Sequence, residues 1–455
     1  MNLKDVVKNQ KNFFEKNITK SINYRKRTLK NLEIALNTYQ DRLMEAVKKD
    51  FGKCYEETYI SEILMVKKEI SYMLKNLTKF SRISKVKTGI FTFPSQGYIL
   101  PEPYGVVLIA TPWNYPINLS LTPLVGAIAA GNCSIISFSD KLSYTSRVIK
   151  QMLSNIFEEE YVYVLTNANV NDLEELISEK LDYIFFTGST NAGKNIMKLA
   201  SSNLTPVTLE LGGKNPVILG NIQNLESVAQ RIVWGKFLNA GQTCVAPDYM
   251  LLTKKQKDDL VPYIKKYIEK MYYKNGIISN KYTKIISEGA FDRLNEILKD
   301  EKILIGGQTD RQNLIIEPTV VEVDSLEKLI MQDEIFGPIL AIVEINSLND
   351  AIGFVNSRPK PLALYLFADD KTSITKVINE TSSGSICIND TIMQLSEINL
   401  PFGGVGNSGF GSYHGKKSFE TFSHYKSILK RNLKFEINLR YPPYSDKLLR
   451  KLKHL

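Results

Sequence analysis

Cys244 is singled out by the residues around it. It ends the run Asn239-Ala240-Gly241-Gln242-Thr243-Cys244, and the helical pattern over 227–238 stops at Asn-Ala-Gly, a helix-terminating signal. That spacing predicts a thiol on a turn, where a thiolate can attack an electrophile. Taken alone, a cysteine is more often a small buried hydrophobe, so the reading depends on partners. Asn114, in Thr111-Pro112-Trp113-Asn114-Tyr115, carries an amide N–H able to stabilise a developing oxyanion. Glu210 lies between Leu209 and Leu211 ahead of Gly212-Gly213-Lys214, where apolar surroundings raise a carboxyl toward a base that works near neutral pH. By themselves these would be an ordinary loop Asn and a surface ion pair. A free thiol with a pKa of about 8.5 is scarcely ionised at neutral pH, so Cys244 needs activation from local dipoles or from Glu210.

Three further stretches bear on a ligand. Gly188-Ser189-Thr190-Asn191-Ala192-Gly193-Lys194 has P-loop spacing, but Asn195 stands where a magnesium-binding Ser or Thr belongs. What survives is a turn onto a helix N-terminus, whose N–H groups suit a dinucleotide pyrophosphate. Gly404-Val405-Gly406-Asn407-Ser408-Gly409 matches G-x-G-x-x-G, yet no strand precedes it and no helix begins at once, so it reads as a loop. Asp333-Glu334-Ile335-Phe336-Gly337-Pro338 offers a carboxylate for a ribose and a ring to brace another, or an ordinary turn.

Positioning such groups requires a layered scaffold. Residues 1–80 have helical periodicity, in Leu29, Leu32, Ala35, Leu36, Leu43, Ala46 and Val47. Residues 85–104, with Ile90, Phe91, Phe93, Pro94 and Gly97, suit an extended arm. Short apolar runs at 105–110, 133–138, 161–165, 183–186 and 207–209 alternate with helical segments, which predicts parallel strands in a doubly wound α/β domain. Strand-like runs at 249–252, 339–345, 362–367 and 385–388, with helices at 260–272 and 348–355, predict a second one. A chain of 455 residues, 43% hydrophobic and 23% charged, can bury two or three cores.

The excess of 58 Lys and Arg over 48 Asp and Glu, +10 in all, is dispersed, with its densest regions in the first thirty residues and in 426–455. It lacks the aromatic ladder that base stacking requires and so does not point to nucleic acid. Four separated cysteines suggest neither disulfides nor a metal knuckle and fit a reducing cytoplasm. No apolar run reaches the roughly 18 residues of a membrane span, and residues 1–16 lack a signal core. Peripheral membrane contact through the basic tail stays open.

In order along nearly the whole chain, Pro112-Trp113-Asn114, Phe186-Thr187-Gly188-Ser189-Thr190, Glu210-Leu211-Gly212-Gly213-Lys214, Gly241-Gln242-Thr243-Cys244, Glu334-Ile335-Phe336-Gly337-Pro338 and Pro401-Phe402-Gly403-Gly404 resemble the aldehyde dehydrogenase superfamily. Gly411-Ser412-Tyr413-His414-Gly415-Lys416 and Arg440-Tyr441-Pro442-Pro443 resemble its class 3 branch, which oxidises medium-chain, fatty and aromatic aldehydes. The resemblance implies Cys244 as nucleophile, an oxyanion held by Asn114 and the Cys244 N–H, hydride passed to NAD or NADP, and a thioester hydrolysed with Glu210 as base. It implies cofactor contacts from Thr111, Pro112, Trp113, Ser137, Asp140, Gly188, Ser189, Gly193, Leu211, Gly212, Glu334 and Phe336, and an aldehyde tunnel walled by Tyr115, Leu238, Thr243 and Ile392.

The implied domains are 1–84 with 105–210 for the dinucleotide, 211–425 for catalysis, and 85–104 with 426–455 as a bridging arm and tail that joins a homodimer, its extended segment at 432–438. Membrane-bound class 3 relatives carry an apolar C-terminal anchor, which is not found before Leu455. One departure concerns the cofactor: Ser137-Phe138-Ser139-Asp140 stands where the family has Lys-Pro-Ser-Glu, which puts NAD against NADP in question, with Lys141 as a candidate substitute. Two other functions fit the scaffold, a CoA-acylating or acyl-reducing relative and a non-catalytic protein. Glu210 argues against the first, and Cys244, Glu210 and Asn114 together argue against the second.

Overall fold

The computed structural model describes residues 2–89, 92–434 and 440–453. Ile90 and Phe91 of the expected arm, 435–438 of the expected tail segment, and Leu455 lie outside them.

Strand Val106–Thr111 is apolar and buried along its whole length, as a strand covered on both faces must be. It is the centre of a six-stranded sheet. Cys133–Ser139 and Val162–Ala168 extend the sheet on one side, Tyr183–Thr187 and Val207–Glu210 on the other, and all pair in parallel. Chain order therefore reverses between Val106–Thr111 and Tyr183–Thr187, which opens a crevice beyond their carboxyl ends. A two-residue strand, Gly409–Phe410, closes the edge antiparallel, with Gly409 opposite Glu210. Helix Pro116–Ala130, buried except for the partly exposed Asn118, packs against this sheet and opens with proline, whose missing N–H costs nothing at that position. Helix Ile22–Phe51 buries Leu29, Leu32, Ala35, Leu36, Leu43, Ala46 and Val47, the face its periodicity predicts.

The second sheet has seven strands in the order Lys302–Ile305, Thr319–Glu322, Ile339–Glu344, Pro247–Leu252, Asn215–Leu219, Ala363–Phe367 and Ser385–Ile388. All pairs are parallel except the first. The doubly wound architecture expected from the alternating pattern is present, with three strands in addition to those read from the sequence. Asn215–Leu219 contains Pro216, which masked it, and the other two are only four residues long.

Ser84–Val86, Ser95–Pro103 and Ser423–Arg431 form a separate antiparallel ribbon, paired from Ser95↔Arg431 to Pro103↔Ser423. The described ribbon strand near the end of the chain is Ser423–Arg431; of the expected tail segment, 432–434 follow the last paired residue, with 433–434 in a turn, and 435–438 lie outside the described residues. Among the described residues, no helix is long and apolar enough to cross a membrane.

Candidate active site

The crevice at the reversal is a cleft of about 580 Å³. Pro112, Trp113 and Asn114 line it from the end of the central strand, Gly188 and Ser189 from the next strand, and Glu210 and Gly212 from the one beyond. Cys244, Glu334 and Phe336 line it from the second sheet. Ten of the residues singled out in the sequence thus meet in one space.

Cys244 is delivered by a sharp reversal. Helix Leu225–Phe237 is followed by Asn239 (φ 54°), Ala240 (φ 51°) and Gly241 (φ 71°), three left-handed residues in succession. Such a run is strained for anything but glycine and survives only where neighbours enforce it. At Gly241 a Cβ would sit 2.2 Å from the Gly337 carbonyl oxygen, so the position requires glycine. The enforcing contacts are specific. The Asn239 amide donates to the Asn114 and Gln242 carbonyls, 3.1 Å each, and the Gln242 amide donates to the carbonyls of Asn239 (3.1 Å) and Lys284 (3.0 Å). Asn215 donates to the carbonyls of Cys244 (2.8 Å) and Ala246 (3.0 Å), and the Tyr365 hydroxyl to that of Val245 (2.5 Å).

Burial, followed by the carboxylates of Glu334 and Glu210, pushes the Cys244 thiol up to about 12, while the backbone N–H groups of Cys244 and Val245 act in the opposite sense. Of the two activators expected from the sequence, the local dipoles therefore favour the thiolate and Glu210 opposes it, because its charge is of the same sign.

Glu210 is 2% exposed, and among the described residues neither carboxyl oxygen has a hydrogen-bond partner. Burial alone raises it well above the usual carboxylate range. The Asn114 amide donates to the Gln242 carbonyl at 3.1 Å, which fixes its plane and leaves its second N–H uncommitted among the described contacts.

Glu334 leans on Gly212, where a Cβ would lie 2.0 Å from its Oε2. Burial, then Asp248, pushes it up to about 8, against the Gly213 N–H, Lys214 and Lys236. Lys214 fixes the loop that carries it, donating to Asp248 (2.7 Å) and to the carbonyls of Ile330 (2.6 Å) and Asp333 (2.9 Å). Phe336, itself left-handed at φ 49°, meets Trp113 edge-on at 5.6 Å. Lys141 Nζ lies 5.9 Å from the Trp113 ring centre. Ser189 caps helix Thr190–Ser201 by accepting from the Ala192 N–H.

Other expected residues lie off the cleft surface. Ser137 is buried within its strand, and Asp140 is exposed beside it, accepting from the Ser139 hydroxyl at 3.1 Å. Gly193 and Leu211 pack on each other, a Cβ at Gly193 falling 2.6 Å from Leu211 Cδ2. Tyr115 and Thr243 are buried and joined hydroxyl to hydroxyl at 2.6 Å, with Leu238 partly buried and Ile392 buried nearby in the same core. Conversely, Asn407 from the glycine-rich loop lines the cleft, its carbonyl accepting from the Thr190 hydroxyl. Arg293, Arg358 and Lys360 line it from the second half, as single cations with no local sequence signal.

A doubly wound sheet with a thiol, a carboxyl and an amide at its switch point is the architecture of an oxidoreductase acting on aldehydes. The chain belongs to the aldehyde dehydrogenase family, whose model matches residues 1–428. It is similar to 4,4'-diaponeurosporen-aldehyde dehydrogenase of Staphylococcus aureus, 44% identical over 439 residues that cover 96% of this chain and 95% of that protein. It is also similar to aldehyde dehydrogenase family 3 member B1 of Mus musculus, 42% identical over 451 residues, 98% and 96% of the two chains. A solved substrate-bound state of Staphylococcus aureus AldH superposes with a TM-score of 0.96 at 43% identity, covering 100% of this chain and 99% of that one. The class 3 resemblance seen in the sequence is borne out by these relatives.

Proposed function

We propose that this protein oxidises a medium- or long-chain aliphatic or an aromatic aldehyde to the carboxylic acid, using NAD or NADP, through a thioester on Cys244. The observation that carries the reading is the meeting at one cleft of Cys244, Asn114 and a buried Glu210 that has no hydrogen-bond partner among the described residues.

Once ionised, the Cys244 sulfur adds to the aldehyde carbonyl. The charge that develops on oxygen falls to the free Asn114 N–H and the Cys244 backbone N–H, each such donor being worth roughly 100- to 1000-fold in rate. When bound, the nicotinamide cofactor supplies the hydride acceptor. Glu210, whose pKa burial raises, acts in its ionised form and takes a proton from the water that cleaves the thioester.

The cleft suits such a cofactor. Thr187 and Glu334 line the cleft, and among the described residues the Thr187 hydroxyl and Glu334 Oε1 have no hydrogen-bond partner. Gly212 makes room for the Glu334 carboxyl, which a Cβ would displace, and the start of helix Thr190–Ser201 offers N–H groups to a phosphate. Glu334 would hold a ribose there. The apolar substrate class is supported by Leu119 on the cleft wall and by the relative named for a diaponeurosporen aldehyde.

The same reading makes the protein a cytoplasmic homodimer. Among the described residues, strand Ser423–Arg431 pairs on one side only, with Ser95–Pro103, and its other side is where a strand of a second copy would add.

The test is spectrophotometric: octanal or benzaldehyde with NAD or NADP, without CoA, following the reduced cofactor. Reduction is expected. Its absence with every aldehyde, or an absolute need for CoA, refutes the proposal.

A further inference from the structure

One N-terminal segment reaches both loops that carry the reacting groups. Lys53 and Glu62 form an ion pair of 2.9 Å with both side chains wholly buried. The Lys53 ammonium also lies 3.9 Å from the centre of the Tyr115 ring, directly after Asn114. The second oxygen of Glu62 accepts from the N–H groups of Ile117 (2.8 Å) and Asn118 (3.4 Å), so a carboxylate caps the helix that starts where the Asn114 loop ends. Glu57 points to the other loop, its Oε1 accepting from the Asn239 N–H at 2.8 Å. Asn239 in turn donates to the Asn114 and Gln242 carbonyls, two residues before the thiol.

Lys53 is thus paired directly with Glu62, and its charge offsets the burial that raises Glu57. The backbone is shaped for this. In an α-helix, residues five apart lie about 140° from each other around the axis. Here the helix widens into a π turn over Tyr59–Ile63, and Glu62 meets Lys53 while Glu57 meets the Asn239 N–H. A buried charge group of this kind is weak as a source of stability but strict about geometry.

We propose that Lys53, Glu57 and Glu62 are positioning residues: Glu57 sets the Asn239 turn, Glu62 sets the start of the 116–130 helix, and Lys53 locks the two, so that the Asn114 amide and the Cys244 sulfur keep one mutual geometry. This rests on the reading of Cys244 and Asn114 as the reacting groups. It extends the site to residues that touch neither substrate nor cofactor.

The experiment compares the full chain with Glu57→Gln, Lys53→Met and the charge-neutral double variant Lys53→Met/Glu62→Gln. Circular dichroism reports folding, and quenching of protein fluorescence reports NADH binding. Octanal oxidation gives kcat and KM, and iodoacetamide alkylation of Cys244, followed by mass spectrometry across pH, reports the thiol. Glu57→Gln is expected to fold and to bind NADH within about twofold of the parent, with kcat down roughly tenfold and KM little changed, as misplacement of reacting groups predicts. Its alkylation profile moves to higher pH, because the sulfur loses alignment with the Cys244 and Val245 N–H groups. The double variant is expected to recover part of the kcat lost in Lys53→Met.

A folded Glu57→Gln protein with the parent's kcat and alkylation profile overturns the proposal, as does a double variant no better than Lys53→Met. If Glu57→Gln does not fold, the pair of Lys53 variants decides. If the parent oxidises no aldehyde, the functional reading fails by itself, and the alkylation profiles still decide whether this segment positions the thiol.

Discussion

Replacing Glu210 by Gln should split the reaction in two. The side chain is buried, keeps its shape in the amide, and loses no hydrogen bond, since neither carboxyl oxygen has a partner among the described residues. The Cys244 thiol loses one of the two carboxylates that hold its pKa high, so attack on the aldehyde and loss of hydride should proceed. Water attack on the thioester loses its base. General-base assistance of this type is worth 100- to 10,000-fold, and its middle value, about 1000-fold, corresponds to about 4 kcal/mol on the barrier. In stopped-flow absorbance the variant should release one reduced cofactor per active site in a burst and then turn over about a thousandfold more slowly than the parent, with the acyl group visible on Cys244 by mass spectrometry.

Stability gives an independent check on the same residue. Because the carboxyl pKa is raised in the folded state, the folded protein holds a proton that the unfolded chain releases. The parent is therefore unpenalised below the unfolded pKa and loses stability as pH rises through the folded one. Glu210→Gln should accordingly melt above the parent at pH 8, with the difference vanishing in acid. No burst, or steady turnover within tenfold of the parent, would refute the assignment.

Three other outcomes are expected. Cys244→Ser should abolish aldehyde oxidation and leave the circular dichroism unchanged; substantial residual turnover would mean a different nucleophile. Gly212→Ala should weaken NADH binding by at least about tenfold in a fluorescence titration, since its Cβ would meet Glu334 at 2.0 Å and push it from its seat. Light scattering should give the mass of two chains, and a monomer would contradict the ribbon as a joining surface.

Much of the site was legible because its chemistry resides in short runs. Asn114, Glu210, Cys244 and Glu334 each stand within three residues of Gly, Pro or an aromatic residue near the end of a strand or helix, where backbone geometry leaves a local signature. The opposing effect of Glu210 on the thiol was not legible, since it depends on distances across two sheets. Nor was Asn407, whose loop lacks the strand and helix that give G-x-G-x-x-G its meaning and reaches the cleft through tertiary packing instead. Lys53, Glu57 and Glu62 read as ordinary charges in a helical region, because nothing in a periodic pattern marks a π turn or a buried cation. Strand Asn215–Leu219 was hidden by Pro216, a residue that normally excludes a central strand.

The pairing of Gly409 with Glu210 also bears on how the protein is made. The strand that carries Glu210 waits for its edge partner until the ribosome has added about 200 more residues, so during synthesis the nascent first sheet stands open where the base will sit. Contacts of such long sequence separation form late and leave an edge able to recruit the wrong strand. Any chain cut short before residue 409 would carry that open edge permanently, beside a thiol already in place. Aggregation of truncated products, rather than partial activity, is the expected fate of an interrupted synthesis.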